Sequence, residues 1–205
     1  MPVLAYAVFA AAIASTMGAY WYYNRDHIAG TTTPNRWSWL IWGATTIVEV
    51  LTFQAIAEGA TWSEQLLKAS VFYVSAACCL YLTVRIWLRS KWKAPNGYEI
   101  ASVVASVIAI VIWLVFQEAW WAHLVTIAAI PISFIPSWSD AREDPEGEKT
   151  CAWALWTLGD ALTLIGIVLV IDTDRELPYI VTELGCHAAM WLLVWRREIT
   201  RFLNQ

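Results

Sequence analysis

Charged residues are scarce in this chain. Only 15% of its 205 residues are Asp, Glu, Lys or Arg, whereas a soluble domain averages about 25%. The few lysines and arginines form no dense basic patch, which excludes a nucleic-acid-binding surface. Together with a hydrophobic content of 59%, the low charge indicates an integral membrane protein with little chain left for a soluble domain.

Patterns that carry catalytic or metal chemistry are also lacking. The four cysteines fall within or at the start of apolar segments, so they do not form a disulfide framework. No Cys/His spacing is typical of a metal site. The chain has neither a nucleophile–base–acid set nor a glycine-rich phosphate loop. We therefore expect no enzymatic activity, no metal and no cofactor.

Long apolar runs are what the chain has in abundance. Each predicted run is about 18–23 residues long, which is the length of helix that crosses a hydrocarbon core of about 30 Å. The first run has no Lys or Arg before it, unlike a secretory signal, and is expected to remain as a membrane helix. The seven predicted spans are 3–23, 36–57, 66–88, 98–116, 118–137, 151–171 and 178–196.

The basic residues are unevenly distributed between the predicted loops. Eleven of the thirteen Lys and Arg lie on the side reached after spans 1, 3, 5 and 7, and only Lys68 and Arg175 lie on the other side. Positive charge favours the cytoplasmic side of a membrane. We therefore expect a plasma (inner) membrane protein with its N-terminus outside and its C-terminus in the cytoplasm.

Two stretches 114 residues apart are built alike. Trp39 and Trp42 open the second apolar run, and Trp153 and Trp156 open the sixth with the same W-x-x-W spacing. Internal repeats in membrane proteins are typical of transporters, with the substrate site where the halves meet. The duplication therefore already favours transport over other membrane functions.

The repeat predicts an all-α architecture of two parallel three-helix bundles joined by a linker helix, a 3+1+3 arrangement. The first repeat is expected at 1–93, the linker at 94–117 and the second repeat at 118–205. One helix between two three-helix units gives them the same orientation, related by an axis along the membrane normal. At the same offset, Tyr73 of span 3 falls on His187 of span 7.

The second repeat contains two motifs that carry a family resemblance. Residues 129–132 read Ala-Ile-Pro-Ile, and residues 154–162 read Ala-Leu-Trp-Thr-Leu-Gly-Asp-Ala-Leu. With the 3+1+3 topology, they resemble the PQ-loop superfamily, which includes the SWEET-like (MtN3) sugar transporters and lysosomal amino-acid exporters. The chain is divergent, since Pro131 precedes Ile132 instead of Gln and no Asn lies inside a span. The resemblance implies a transporter fold.

Four ionisable side chains lie near the middle of predicted spans, where a charge is costly and usually marks a site or a proton path. By the repeat offset Asp160 matches Thr46, and Glu49 lies about one helical turn beyond Thr46. Glu183 and His187 are four residues apart, so they can pair and can hold or relay a proton. We predict that these four groups line a central cavity and bind a cationic or polar solute or couple transport to protons. Pairing with Arg, Trp N–H groups or water to hold helices together is the alternative.

Aromatic residues are further candidates. Tyr73 and Trp191, deep in spans 3 and 7, are predicted to stack on a solute. The W-x-x-W pairs have two interpretations, of which interfacial anchoring is favoured and a cytoplasmic gate or an aromatic contact with the solute is the second. Pro131 is grouped with them because an intramembrane proline kinks its helix. The residues of this gate-or-anchor set are Trp39, Trp42, Trp153, Trp156 and Pro131.

The leading hypothesis is a transporter that moves a small polar or cationic solute by alternating access. Two full repeats make a monomer sufficient, and a homo-oligomer is compatible with it. A seven-helix receptor is the second hypothesis, although span 7 lacks the lysine that a retinal protein needs. The third is a non-transporting membrane subunit or a cofactor-binding scaffold in which His187 is the ligand.

Overall fold

The computed structural model describes residues 3–56, 62–116, 119–170 and 177–203. Within these ranges all regular structure is helical, with no strand. The α-helices are α1 (Val3–Ile28), α2 (Arg36–Ile56), α3 (Trp62–Arg89), α4 (Gly97–Phe116), α5 (Ala119–Glu143), α6 (Thr150–Leu169) and α7 (Leu177–Leu203). A short 3-10 helix spans Pro145–Gly147.

Six of these helices contain a stretch long and apolar enough to cross a membrane, and all are predicted spans: α1, α3, α4, α5, α6 and α7. The remaining predicted span, α2, is a helix of 21 residues. The side chains of its last six residues, 51–56, are outside the described set. The protein is thus all-helical and membrane-embedded, since only segments that satisfy their own backbone groups can lie in lipid.

Several helices continue beyond the apolar runs that predict them. α1 extends five residues past its predicted end, and α5 continues to Glu143 instead of ending at 137. Hydropathy marks where a chain leaves lipid, whereas helical hydrogen bonding continues through polar residues. α5 also runs without interruption through Pro131 and Pro136. The loop that follows predicted span 5 therefore begins only after the last turn of α5, which ends at Glu143.

Small residues allow close helix approach at two crossings. On α6, a Cβ added at Gly159 would lie 2.7 Å from Thr16 Oγ1, and one at Gly166 would lie 2.9 Å from Phe9 Cζ. Both contacts are with α1. Gly43 lets α2 approach α3 in the same way. These glycines bring backbones together where side chains of ordinary size would separate them.

The helices contact one another in a regular pattern. α3 packs against both α1 and α2, and α7 packs against both α5 and α6. Between these groups, α1 lies along α6 and α2 along α5, while α4 contacts α5 and α2. α4 exposes much of its apolar surface, including Val107 and Leu114. Such a surface suits contact with lipid.

The loops that precede α2, α4 and α6 meet at one end of the bundle. Thr33 N–H donates to Gly147 O at 2.7 Å, and Arg36 Nη1 donates to Lys91 O at 3.0 Å. We call this end the basic end, because most of the Lys and Arg lie in or beside its loops. The central cavity lies deeper, between the helices.

Candidate functional site

A cavity lies among α1, α2, α3, α5, α6 and α7. It offers about 70 Å³ to the centres of water molecules, which is room for several waters or a small ion. Among the described residues, no lysine or arginine lines it. Its polar lining residues are Thr16, Tyr20, Thr45, Thr46, Glu49, Ser75, Asp160, Thr163, Tyr179, Glu183 and His187.

The structure brings the four predicted ionisable residues together in this cavity. His187 Nδ1 lies 2.7 Å from Asp160 Oδ2 and 3.5 Å from Glu183 Oε2. Glu49 enters from α2 and is 7% exposed. Three helices therefore contribute to a single acidic cluster, in which one nitrogen of the imidazole lies near two carboxyl groups.

Tyr179 connects the two halves of this cluster. Its hydroxyl lies 2.9 Å from Glu49 Oε2 and 3.2 Å from Glu183 Oε1. A phenol carries one proton and can donate it to only one acceptor at a time. Both contacts are full hydrogen bonds only when one of the two carboxyl groups also carries a proton. A continuous polar chain thus runs from Glu49 through Tyr179, Glu183 and His187 to Asp160.

The two aromatic residues predicted to stack on a solute lie elsewhere. Among the described residues, neither Tyr73 nor Trp191 lines the cavity. Tyr73 packs against the hydrophobic core, and Trp191 stacks on Trp195 with a ring-centroid distance of 5.8 Å. Sequence reasoning missed Tyr179 instead. Its position four residues before Glu183, on the same helix face, was the available signal.

The residues of α3 and α7 that line the cavity explain why the predicted offset of 114 residues wrongly matches Tyr73 with His187. α3 lines the cavity with Val71, Phe72, Ser75 and Cys79, and α7 lines it with Tyr179, Ile180, Glu183 and His187. Both sets have the same internal spacing, but they are 108 residues apart and not 114. By this register His187 corresponds to Cys79.

The predicted gate-or-anchor tryptophans are buried inside the bundle. Trp39, Trp153 and Trp156 are 2%, 1% and 4% exposed, and Trp42 packs against the same core. Rings that anchor a protein in the interfacial belt would contact lipid and water, so the favoured interpretation does not fit these positions. We call their cluster the aromatic layer; its members are Tyr20, Tyr23, Trp39, Trp42, Phe134, Trp153 and Trp156.

Distances within the aromatic layer occur in matched pairs. The ring centroids of Trp39 and Trp42 are 5.2 Å apart, and those of Trp153 and Trp156 are 4.9 Å apart. The crossed pairs also match, with 6.2 Å between Trp39 and Trp156 and 6.3 Å between Trp42 and Trp153. The ring centroids are therefore close to twofold symmetric, whereas the angles between the rings differ, with 77° for Trp39–Trp42 and 51° for Trp153–Trp156.

The match extends to α1 and α5. Tyr20 lies 5.1 Å from Trp156 and 6.4 Å from Trp39. Phe134, which is 114 residues after Tyr20, lies 4.8 Å from Trp42 and 6.3 Å from Trp153. Trp42 also donates a 2.8 Å hydrogen bond from Nε1 to Ser133 Oγ, within the helix that carries Pro131.

A buried glutamate closes the aromatic layer at the basic end. Glu148 accepts hydrogen bonds from the Tyr23 hydroxyl at 2.9 Å and from Trp153 Nε1 at 3.0 Å. Burial raises the pKa of Glu148 to about 8, and nearby Asp140 adds to the effect, whereas the two donors act in the opposite sense. Ionisation of this carboxyl is therefore opposed by its surroundings.

A second polar cluster joins the helix ends around this closure. Asn35 caps α2, because its Oδ1 accepts from the Trp37 and Ser38 N–H groups at 3.0 Å. Its Nδ2 donates at 2.7 Å to Glu99 Oε1 and to Asp140 Oδ2. One amide side chain thus links the start of α2, the start of α4 and the end of α5.

Three residues of the cavity have the donor atoms of a metal site. Asp160, Glu183 and His187 each offer one ligand atom, and these atoms lie within 4.8 Å of one another. The sequence predicts no metal site, because the ligands come from two helices and lack a short Cys/His spacing. The signal was the Glu183/His187 pair on one helix face, with an acid at similar depth on α6.

No family model matches the chain, and no curated protein or solved structure matches it.

Proposed function

We propose that this protein is a small-solute transporter that works by alternating access, with its substrate in the central cavity. Two three-helix repeats, 1–93 and 118–205, are joined by the linker 94–117. The observation that carries the proposal is the symmetry of the aromatic layer. Four pairs of centroid distances between residues related by the 114-residue offset agree to within 0.3 Å.

The helix contacts support the same division. Exchanging α1 with α5, α2 with α6 and α3 with α7 preserves the extensive contacts among these helices, because α1 packs on α6 as α5 packs on α2. Among the described residues, the slight contact between α3 and α6 has no counterpart of equal size. α4 has no counterpart in this exchange, as expected of a linker. Parallel repeats of this kind place a substrate site at their common interface.

The chemistry of the cavity favours a polar or cationic solute. Glu49, Asp160 and Glu183 are carboxyl groups, and His187 is the ionisable partner among the described lining residues. Three of these four groups come from the second repeat, whereas the first repeat contributes Ser75 and Cys79 at the matching positions of α3. The ionisable groups of the site therefore come mainly from one of the two proposed repeats. Coupling of transport to protons stays a prediction, based on the Glu183–His187 pairing.

The aromatic layer has the position of a gate. Along α2, Trp39 precedes Glu49 by ten residues, which corresponds to about 15 Å of helix. The layer thus lies between the acidic cluster and the basic end, with Glu148 and Tyr23 at its outer edge. By the positive-inside rule we assign the basic end to the cytoplasm, with the protein in the plasma (inner) membrane. In this assignment the chain is closed toward the cytoplasm.

Alternating access is testable without knowing the solute. In a variant with all four native cysteines replaced, Ser75→Cys places a single thiol in the cavity. We expect a membrane-impermeant methanethiosulfonate reagent to label it from either side of oriented vesicles, because each side opens in turn. Val107→Cys on the exposed face of α4 is the matched control, and it should be labelled from neither side because lipid covers it.

Labelling of Ser75→Cys from one side only would overturn alternating access and favour a receptor or a membrane subunit. Labelling from neither side, in protein that elutes as a single species, would remove the cavity as a transport site.

A further inference from the structure

We infer that the ligand of the central cavity is a divalent transition-metal cation, held by His187, Asp160 and Glu183. Its transport rests on the proposed function, whereas its binding does not. The three side chains belong to α6 and α7, and each is 15–16% exposed. Three features support this ligand: the distances between the three side chains, their charge, and the packing of the aromatic rings around them.

The geometry is close to that of a coordination shell. Metal–nitrogen and metal–oxygen bonds of about 2.0–2.2 Å at a tetrahedral angle put neighbouring ligand atoms about 3.3–3.5 Å apart. His187 Nδ1 is already 3.5 Å from Glu183 Oε2, and it is 2.7 Å from Asp160 Oδ2, where the two atoms share a hydrogen bond. A three-ligand face forms when this second pair separates by less than about 1 Å and the Asp160 and Glu183 oxygens, which lie within 4.8 Å of each other, take the same spacing. The open side is the cavity, which has room for a water or a further carboxylate.

The charge of the cluster favours a divalent cation. Asp160 and Glu183 offer two carboxyl groups, and His187 supplies at most one positive charge beside them. When the imidazole gives up its proton to act as a ligand, a divalent ion balances the two carboxylates. Such an ion is attracted because uncompensated negative charge is costly at this depth of a membrane protein.

The donor atoms select among divalent ions. One imidazole nitrogen with carboxylate oxygens suits Mn²⁺, Fe²⁺, Co²⁺, Ni²⁺ or Zn²⁺, whereas Mg²⁺ and Ca²⁺ prefer all-oxygen surroundings. Neighbouring groups also hold the ligands in place. Trp156 stacks on the His187 ring at 5.7 Å and 11°, the edge of the ring meets Phe134 at 5.3 Å, and Tyr179 bonds Glu183. Such contacts orient metal ligands in proteins.

The same rings argue against an organic cation as the ligand. An aromatic cage for an ammonium group presents ring faces to the cation. Here a face of Trp156 is covered by His187, and Trp42 is in contact with Phe134 at 4.8 Å and with Trp39 at 5.2 Å. Most rings of the aromatic layer line the cavity and contact one another edge-on or at a tilt, so they form a packed wall and not an open cage.

Cobalt binding tests the inference. Purified full-length protein in detergent is titrated with Co²⁺, whose visible absorption reports a protein-bound site, and then with Zn²⁺ in competition. We expect saturable one-to-one binding that Zn²⁺ displaces and Mg²⁺ in large excess does not. His187→Gln and Asp160→Asn should each weaken binding by at least about 100-fold, since each removes a ligand. His27→Gln, a histidine outside the cavity, is the matched control and should bind as the wild type does.

Folding of the variants is checked separately. Asp160→Glu keeps a carboxylate and should retain Co²⁺ binding with a changed spectrum, which loss of folding would not produce. Absence of saturable Co²⁺ binding to the wild type, or unchanged binding in both His187→Gln and Asp160→Asn, would overturn the inference. Thermal stabilisation by tetramethylammonium that depends on Asp160 and occurs without Co²⁺ binding would replace it with an organic cation.

The two proposals fail differently. Two-sided labelling of Ser75→Cys without Co²⁺ binding leaves the transporter and removes the metal. Co²⁺ binding that needs His187, combined with one-sided labelling, supports the metal site and removes transport. Uptake of Mn²⁺ into proteoliposomes, lost in His187→Gln and retained in His27→Gln, would support both.

Discussion

Glu148 shows at the scale of one residue how the closure at the basic end depends on protonation. It lies just before α6 and is 6% exposed. The groups nearest its carboxyl are Tyr23, Trp153 and Asp140, and none of them is a cation. The folded protein therefore favours the neutral form of Glu148. In the unfolded chain, the carboxyl ionises at the ordinary pKa of a glutamate.

Thermal unfolding of the purified protein between pH 4 and pH 9 should reveal this preference. The pKa of Glu148 is raised from 4.5 to about 8, so its contribution to stability is complete below about pH 4.5 and is lost as the pH rises through 8. The expected loss is about 2–5 kcal/mol. Glu148→Gln should flatten this part of the profile, whereas Glu143→Gln, at an exposed position, should not. Parallel profiles for Glu148→Gln and the wild type would contradict the assignment.

The predicted and missed site residues differ in how visible they are in a sequence. Glu49, Asp160, Glu183 and His187 stand out because each interrupts an apolar run. Tyr179 does not, because a tyrosine near the end of a span suggests an interfacial ring. The burial of the W-x-x-W rings was equally hidden, since a tryptophan near a helix end has the same pattern whether it faces lipid or a neighbouring helix.

At the scale of elements, the crossing of α1 and α6 depends on Gly166. Three ring atoms of Phe9 lie within 3.0 Å of the position that a Cβ would occupy there. Phe9 itself is fully buried, so its ring has little space into which to move. An added methyl group must therefore push the helices apart.

Gly166→Ala is expected to destabilise the protein by about 1–3 kcal/mol, as overpacking in a tight core does. Gly185→Ala is the matched control on α7, where no atom lies within 4 Å of the added Cβ. The control should be neutral or more stable by up to about 1 kcal/mol, because alanine favours helix. Midpoints of thermal unfolding in one detergent compare the two. An equal or higher midpoint for Gly166→Ala would contradict this packing.

The helices themselves follow from the sequence, but the register between the two proposed repeats does not. α3 begins nine residues before its first lining residue, Val71, whereas α7 begins two residues before Tyr179. No single sequence offset can therefore match both the W-x-x-W segments and the residues of α3 and α7 that line the cavity. The matching positions Cys79 and His187 also have no chemistry in common that would reveal the shift.

At the scale of the whole molecule, the contact of the loops before α2 and α6 controls the basic end. Thr33 and Gly147 touch through their backbones, and a Cβ at Gly147 would point into the Thr33 hydroxyl. In the proposed two-repeat architecture, opening toward the cytoplasm separates these loops. Holding them together should therefore stop one half of the transport cycle.

A disulfide across this contact tests the expectation. It is formed between Thr33→Cys and Gly147→Cys in the variant that carries Ser75→Cys as a third thiol. Two residues in direct backbone contact are within reach of a disulfide. After oxidation, labelling of the cavity thiol from the basic end should fall at least about tenfold, whereas labelling from the opposite end should be retained. Reduction of the disulfide should restore labelling from the basic end. The variant that lacks Gly147→Cys is the control. Unchanged labelling from the basic end would show that the gate lies elsewhere.

The pairing of Thr33 with Gly147 also bears on how such a chain can be assembled. The two residues are separated by the 114-residue offset, so in the proposed architecture they meet on the axis that relates the halves. Two identical copies of one half would oppose threonine to threonine or glycine to glycine there. Only unlike halves can fit a side chain against a vacant position. Halves expressed as separate chains should therefore assemble preferentially as a heterodimer, because this pairing fills the contact without a clash.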